Sequence, residues 1–130
     1  AAQINIDDEL IDRHIHTVAK AHNKSIQDYQ GYSDHIKQVF AQKSALEKQV
    51  WAHQQCYIAL GTLLTAAAVM KIDTCPMTGF EPEGFDRVLD LEKRGLESTV
   101  ICALGKRHSE DVSARYPKVR YEHSEMVVTV

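Results

Sequence analysis

From Cys56 to Met70 the chain reads CYIALGTLLTAAAVM, fifteen residues without a charged side chain. No other feature constrains the fold as much. A bilayer span needs ~18–20 apolar residues, and polar His53, Gln54 and Gln55 precede the run while Lys71 follows it. The run therefore predicts a buried core helix rather than a membrane crossing. Being apolar nearly all round, such a helix must be enclosed on most sides. Gly61 and Ala66 to Ala68 keep side-chain bulk low and let another helix approach closely. That is the composition of a central or subunit-interface helix. Ser44-Ala-Leu-Glu47 opens it as a capping box, with Ser at the N-cap and Glu three residues on, so the helix is predicted at about residues 45 to 71.

Two shorter helices are predicted ahead of it. Leu10, Ile11, Ile15, Val18 and Ala19 share one face of an amphipathic helix over residues 7 to 22. Ser25 is an N-cap candidate with Asp28 in the first turn. Ile26, Tyr29, Tyr32, Ile36, Val39 and Phe40 continue the periodicity to about Gln42, with Gly31 as a weak point costing ~1 kcal/mol against Ala. Beyond the long helix, Ile72 to Cys75 is a short extended segment. Pro82 suits the first position of a new helix with Phe85, Val88 and Leu89 on its apolar face, and Gly95 is its stop signal. Thr99 to Leu104, TVICAL, predicts a buried strand. A polar loop follows from Gly105 to Arg120, and the terminal MVVTV and the opening AAQINI are strand-like. Helices dominate and strands are few, which suggests part of a larger domain.

The length of 130 residues suits one domain, and 44% apolar with 25% charged residues reads as a soluble globular protein. A formal charge of -3 argues against a nucleic-acid partner, which selects a basic surplus. Seven histidines could reverse that sign near pH ~6. Cys56, Cys75 and Cys102 form no CxxC pair, so the expectation is reduced, mostly buried thiols in a cytosolic protein. The start, Ala-Ala-Gln-Ile, lacks both Met and a basic stretch, so no signal peptide is expected.

Chemistry-bearing patterns are sparse. No Ser/His/Asp order, HExxH or GxxxxGK[ST] is present, and His14 and His16 point to different helical faces. No catalytic side chain and no metal ligand is assigned. The stretch CPMTGFEPE, Cys75 to Glu83, concentrates two of three prolines and one of six glycines. Pro76 fixes φ and lacks an N–H, whereas Gly79 lets backbone approach something flat. Such a loop offers free N–H groups from Met77 to Gly79, unless it is only a tight turn burying Met77 and Phe80. In the loop after Gly105, Lys118 and Arg120 project to one side if that segment is extended. A Lys and an Arg placed so could clamp a phosphate, or simply be solvated.

Taken in order, Gln55–Gly61 (QCYIALG), Lys71–Phe80 (KIDTCPMTGF), Ser98–Gly105 (STVICALG) and Pro117–Arg120 (PKVR) resemble the FMN-dependent nitroreductase family across about residues 47 to 130. The resemblance implies an α+β, nitroreductase-like fold, helix-rich with a small mixed sheet. It also implies a homodimer with flavin at the subunit interface. The loop matching Pro76, Met77, Thr78 and Gly79 would lie along the isoalloxazine ring, with the N–H groups of Thr78 and Gly79 facing N5 and O4. Lys118 and Arg120 match the family's phosphate-binding pair. Thr78 stands where many members carry Glu. The family's Arg-x-Ser-x-Arg motif and Ser/Asn-rich loop have no counterpart here, so residues 1–130 correspond to its C-terminal three-fifths.

The resemblance thus implies an FMN-dependent oxidoreductase with NAD(P)H as co-substrate. It would pass a hydride through flavin N5 to a nitroaromatic, quinone or similar small-molecule acceptor. Expected partners are a second copy and that acceptor, with no nucleic acid and no membrane. The competing readings are a truncated, non-catalytic dimeric fragment, and a flavin-dependent dehalogenase or specialised reductase on the same fold.

Overall fold

Asp7 begins the ordered helical part by accepting a 2.9 Å hydrogen bond from the Leu10 N–H. This caps α1 (Asp8–Ala21), whose Ile11, Ile15 and Ala19 are buried. The computed structural model describes all of residues 1–130. Ser25 and Asp28 form the anticipated capping pair, but on a 3-10 turn, Ile26–Tyr29. α2 (Gln30–Ala41) follows directly. Lys37 on α2 reaches Asp12 on α1 at 2.6 Å, and the Asp12 hydrogen bond is the main cause holding the ammonium's pKa above its ordinary value.

α3 (Ala45–Val69) starts at the predicted capping box. The Ser44 N–H donates to Glu47 Oε2 at 2.8 Å and the Glu47 N–H returns a 3.3 Å bond to Ser44 Oγ. The core lies where α1, α2 and the first half of α3 meet, around Ile11, Ile15, Phe40 and Ala52. Phe40 packs edge-on against Trp51, ring centroids 5.0 Å apart.

The second half of α3 corrects an expectation. It is not enclosed: Ile58 is 66% exposed and Val69 80%, and only Ala52 and Ala67 of the helix are buried. The helix has the predicted composition and nearly the predicted limits, but this chain does not supply its cover. No helix is long and apolar enough to cross a membrane.

The strands form two separate antiparallel ribbons within an α+β fold. β1 (Ala2–Gln3) pairs with β3 (Leu96–Glu97), and β2 (Asp73–Met77) pairs with β4 (Ile101–Gly105) from Asp73↔Gly105 to Met77↔Ile101. The small sheet therefore has no parallel rung. β2 runs two residues past the predicted segment and takes in Pro76, which a two-stranded ribbon tolerates because one edge is unpaired. β4 is not the buried strand predicted: Ile101 and Cys102 are half-buried and Ala103 to Gly105 exposed. α4 (Pro82–Val88) has Pro at its first turn as expected. Its apolar face is not covered, since Val88 is 84% exposed. Gly95, at φ 66°, ends a 3-10 turn over Glu92–Arg94 rather than α4.

At the end of the chain the structure shows a single helical turn, α5 (His123–Met126), and no strand. MVVTV has no neighbouring strand to pair with, and Val128 and Val130 are exposed. The three cysteines are free as expected but not mostly buried, because Cys75 is exposed and Cys56 and Cys102 are half-buried. Three side-chain ties hold β3 and its flank. Gln49 Nε2 donates to Glu97 at 2.9 Å, His53 Nε2 lies 2.6 Å from Glu97 Oε1, and the Ser98 N–H donates to Asp86 at 2.8 Å.

Candidate functional site

β2 carries the candidate site at both of its ends. At its C-terminal end, Met77 forms the last rung with Ile101, and the chain leaves the ribbon at Thr78 and Gly79, both exposed. Neither the Thr78 N–H nor the Gly79 N–H donates a hydrogen bond within the chain. Exposed N–H groups are ordinarily satisfied by water or a ligand. Gly79 is not held at positive φ, and no atom lies within 4 Å of where a Cβ would stand. Nothing inside this chain demands glycine there. Two free donors with an open approach fit a flat ligand with acceptors along one edge. Beside the loop, Phe80 and Phe85 pack edge to face with centroids 5.2 Å apart, which steadies its exit.

The N-terminal end of β2 is charged. Beyond the Asp73↔Gly105 rung, Asp73 takes over as the partner of the departing chain. The Arg107 N–H and Nε–H both donate to Asp73 Oδ2, at 3.0 and 2.9 Å, and the remaining guanidinium nitrogen engages Oδ1. This fork holds the Asp73 carboxyl down to about 2, the guanidinium contributing most, the Arg107 N–H next, and Lys118 a smaller attraction. The same pairing raises the Arg107 pKa. An open cavity of about 440 Å³ lies alongside, lined among others by Asp73, Cys75, Lys106, Arg107, Asp111 and Lys118. Asp111 is held below its ordinary pKa, first by the Ser113 hydroxyl and then by the Ala114 N–H.

Of the residues picked out from sequence, Pro76 and Met77 lie within β2 and Thr78 and Gly79 just after it. Lys118 lines the cavity at the opposite end. Arg120 is not among the lining residues, and its guanidinium turns back to the Val119 carbonyl at 2.7 Å. The structure thus sets Lys118 at a charged cavity without bringing Arg120 beside it. Asp73 and Arg107 were not singled out from sequence as a pair. The signal was available only jointly: antiparallel pairing of the two strand segments would place Asp73 opposite Gly105 and next to Lys106 and Arg107.

The nitroreductase family profile matches residues 11–106, close to three-quarters of the chain. The chain belongs to the nitroreductase family. The match extends back into α1, well ahead of the motifs at residues 55 to 120, and stops short of Lys118 and Arg120. Among curated relatives, the chain is 35% identical over 82 residues to the major NAD(P)H-flavin oxidoreductase of Aliivibrio fischeri, covering 62% of this chain and 38% of that protein. It is 34% identical over 70 residues to the oxygen-insensitive NAD(P)H nitroreductase of Salmonella typhimurium, covering 54% and 32%. With the enzyme of the same name from Enterobacter cloacae, identity is 31% over 77 residues, covering 59% and 36%. The chain therefore spans about a third of the length of these relatives.

Proposed function

We propose that this nitroreductase-family chain forms part of an FMN-dependent NAD(P)H oxidoreductase acting on nitroaromatic, quinone or similar small acceptors. The observation that carries the reading is the pair of unpartnered N–H groups at Thr78 and Gly79, on an open loop at the end of β2. Free donors there fit the acceptor edge of an isoalloxazine ring, and the cationic residues at the far end of β2 fit a phosphate. FMN would supply, when bound, two-electron transfer between NAD(P)H and the acceptor.

The chain's own residues bind and orient. The Thr78 and Gly79 N–H groups would hold the ring edge and stabilise negative charge gathering there, since fixed dipoles need no reorganisation during reaction. Pro76 stiffens the strand end that aims them. Lys118 would hold the phosphate by a charge-assisted bond, joined by Arg120 once its guanidinium leaves the Val119 carbonyl. No side chain is assigned as a general acid or base. The uncovered apolar side of α3 supports assembly as a homodimer, and the three free thiols suit the reducing cytoplasm.

Flavin titration tests the reading. Each phosphate contact contributes about 1.5–3 kcal/mol, so in the full-length protein Lys118→Ala and Arg120→Ala should each weaken FMN by more than about tenfold. Riboflavin, which lacks the phosphate, should be affected far less. Equal losses for the two ligands would return these residues to a solvated surface.

A further inference from the structure

After Gly105 the chain is tied back to earlier residues by a single polar attachment. From Lys106 to Val130 no backbone hydrogen bond reaches earlier residues, and the only side-chain hydrogen bonds or ion pairs that do are those joining Arg107 to Asp73. The segment has order of its own. Asp111 accepts from Ser113 Oγ at 2.6 Å and from the Ala114 N–H at 3.3 Å, and Arg115 donates to the Ser109 carbonyl at 3.1 Å. It is thus a loop with internal order, tied back by one fork. The fork sits at the first residue of the strand whose last residue opens into Thr78 and Gly79, about 14 Å away along a strand rising ~3.4 Å per residue.

We propose that Asp73 and Arg107 are positioning residues, forming a latch that sets Lys118 at a fixed distance from the Thr78–Gly79 donors. The latch rests on the flavin reading above and adds to it. Neither residue need touch the ligand. Arg107 is neutralised by Asp73, so Lys118 and Lys106 are the cations left facing the cavity, with Asp111 turned toward its own turn. An Arg fork fixes direction as well as distance, which a Lys ammonium does not. Releasing it would leave Lys118 chemically intact but unplaced.

The experiment is a mutant cycle on the full-length protein stripped of flavin, with FMN and riboflavin titrated in parallel. Asp73→Ala and Arg107→Ala should each weaken FMN by about tenfold, the double variant no further, and riboflavin should be unaffected. Arg107→Lys, a milder change at an exposed site, should fall in between. Amide exchange without flavin should show residues 108–120 opening faster in Asp73→Ala while the β2–β4 amides stay protected. Equal losses for both ligands, additive losses, unchanged exchange, or tighter FMN binding once the carboxylate is removed would each overturn the latch. Lys118→Ala separates the two ideas. If it discriminates FMN from riboflavin and Asp73→Ala does not, the latch alone is wrong. If Lys118→Ala fails to discriminate, the flavin reading fails and the latch has no phosphate ligand to position.

Discussion

Asp73 is the residue at which local chemistry most directly sets larger geometry. Its carboxyl is held down to about 2 from an ordinary 3.8, chiefly by the Arg107 guanidinium. A carboxylate depressed by folding contributes stability above its unfolded pKa and loses it as pH falls through the folded value. The fork should therefore be intact at neutral pH, its stabilising contribution should decline below about 4, and the carboxylate should be half-protonated near 2, with loss complete only below that. An NMR titration of the Asp73 carboxyl should give a midpoint near 2, and Arg107→Ala should move it back toward the ordinary range. A midpoint near 4 in the unaltered protein would contradict the fork. Because both partners are partly exposed, added salt should weaken it. At this scale the open N–H groups at Thr78 and Gly79 were legible from the Pro76 and Gly79 punctuation, although no contact inside the chain requires glycine there. The Asp73–Arg107 pair was not. The loop carries charges of both signs, and composition alone does not say which acid an Arg will meet across a ribbon.

Among the elements, legibility tracked the length of the repeating pattern. α1, α2 and α3 each repeat an apolar face or a capping signal several times, and their limits fall within a few residues of expectation. The C-terminal MVVTV carries the β-branched content of a strand, but a strand needs a partner and none is within reach. β3 has two residues, too few for any alternation to show. β2 runs past the Ile72–Cys75 segment because an unpaired edge accepts Pro76. Burial separates two substitutions on otherwise similar helices. Ile15 is 2% exposed at the centre of the core, so Ile15→Ala should cost about 2–5 kcal/mol. Leu46 is 67% exposed, and Leu46→Ala should change stability by less than about 0.5 kcal/mol. Denaturant unfolding of the two variants measures both. Ser44→Ala should lie between them at about 1 kcal/mol through loss of the α3 cap.

Residues 1–130 leave more surface uncovered than a self-contained fold of their mass would. A folded monomer of 14.7 kDa should present about 7,000 Å² by the usual mass scaling, whereas this chain presents 10555 Å² with 11 of its 130 residues buried. Much of the apolar excess lies on α3, opposite Ala52 and Ala67, where Trp51, Ile58 and Val69 fall on one side of the helix. Small Gly61, Ala66 and Ala68, all exposed, would let a second helix come close. The uncovered terminal valines add apolar surface of the kind that joins subunits. A second copy presenting the same helix would cover it by a self-complementary, two-fold contact. Ile58 is the most direct probe, because it is 66% exposed and contributes little to the fold of one chain. If a second copy covers α3, Ile58→Asp should convert that dimer to monomer in sedimentation at micromolar concentration while leaving far-ultraviolet dichroism unchanged. A buried aspartate at a two-fold contact meets its own copy's charge, so the loss should exceed that of Ile58→Ala. If the unaltered protein sediments as a stable monomer, the cover for α3 is not a second copy. If Ile58→Asp leaves the dimer intact, the contact lies elsewhere on the molecule.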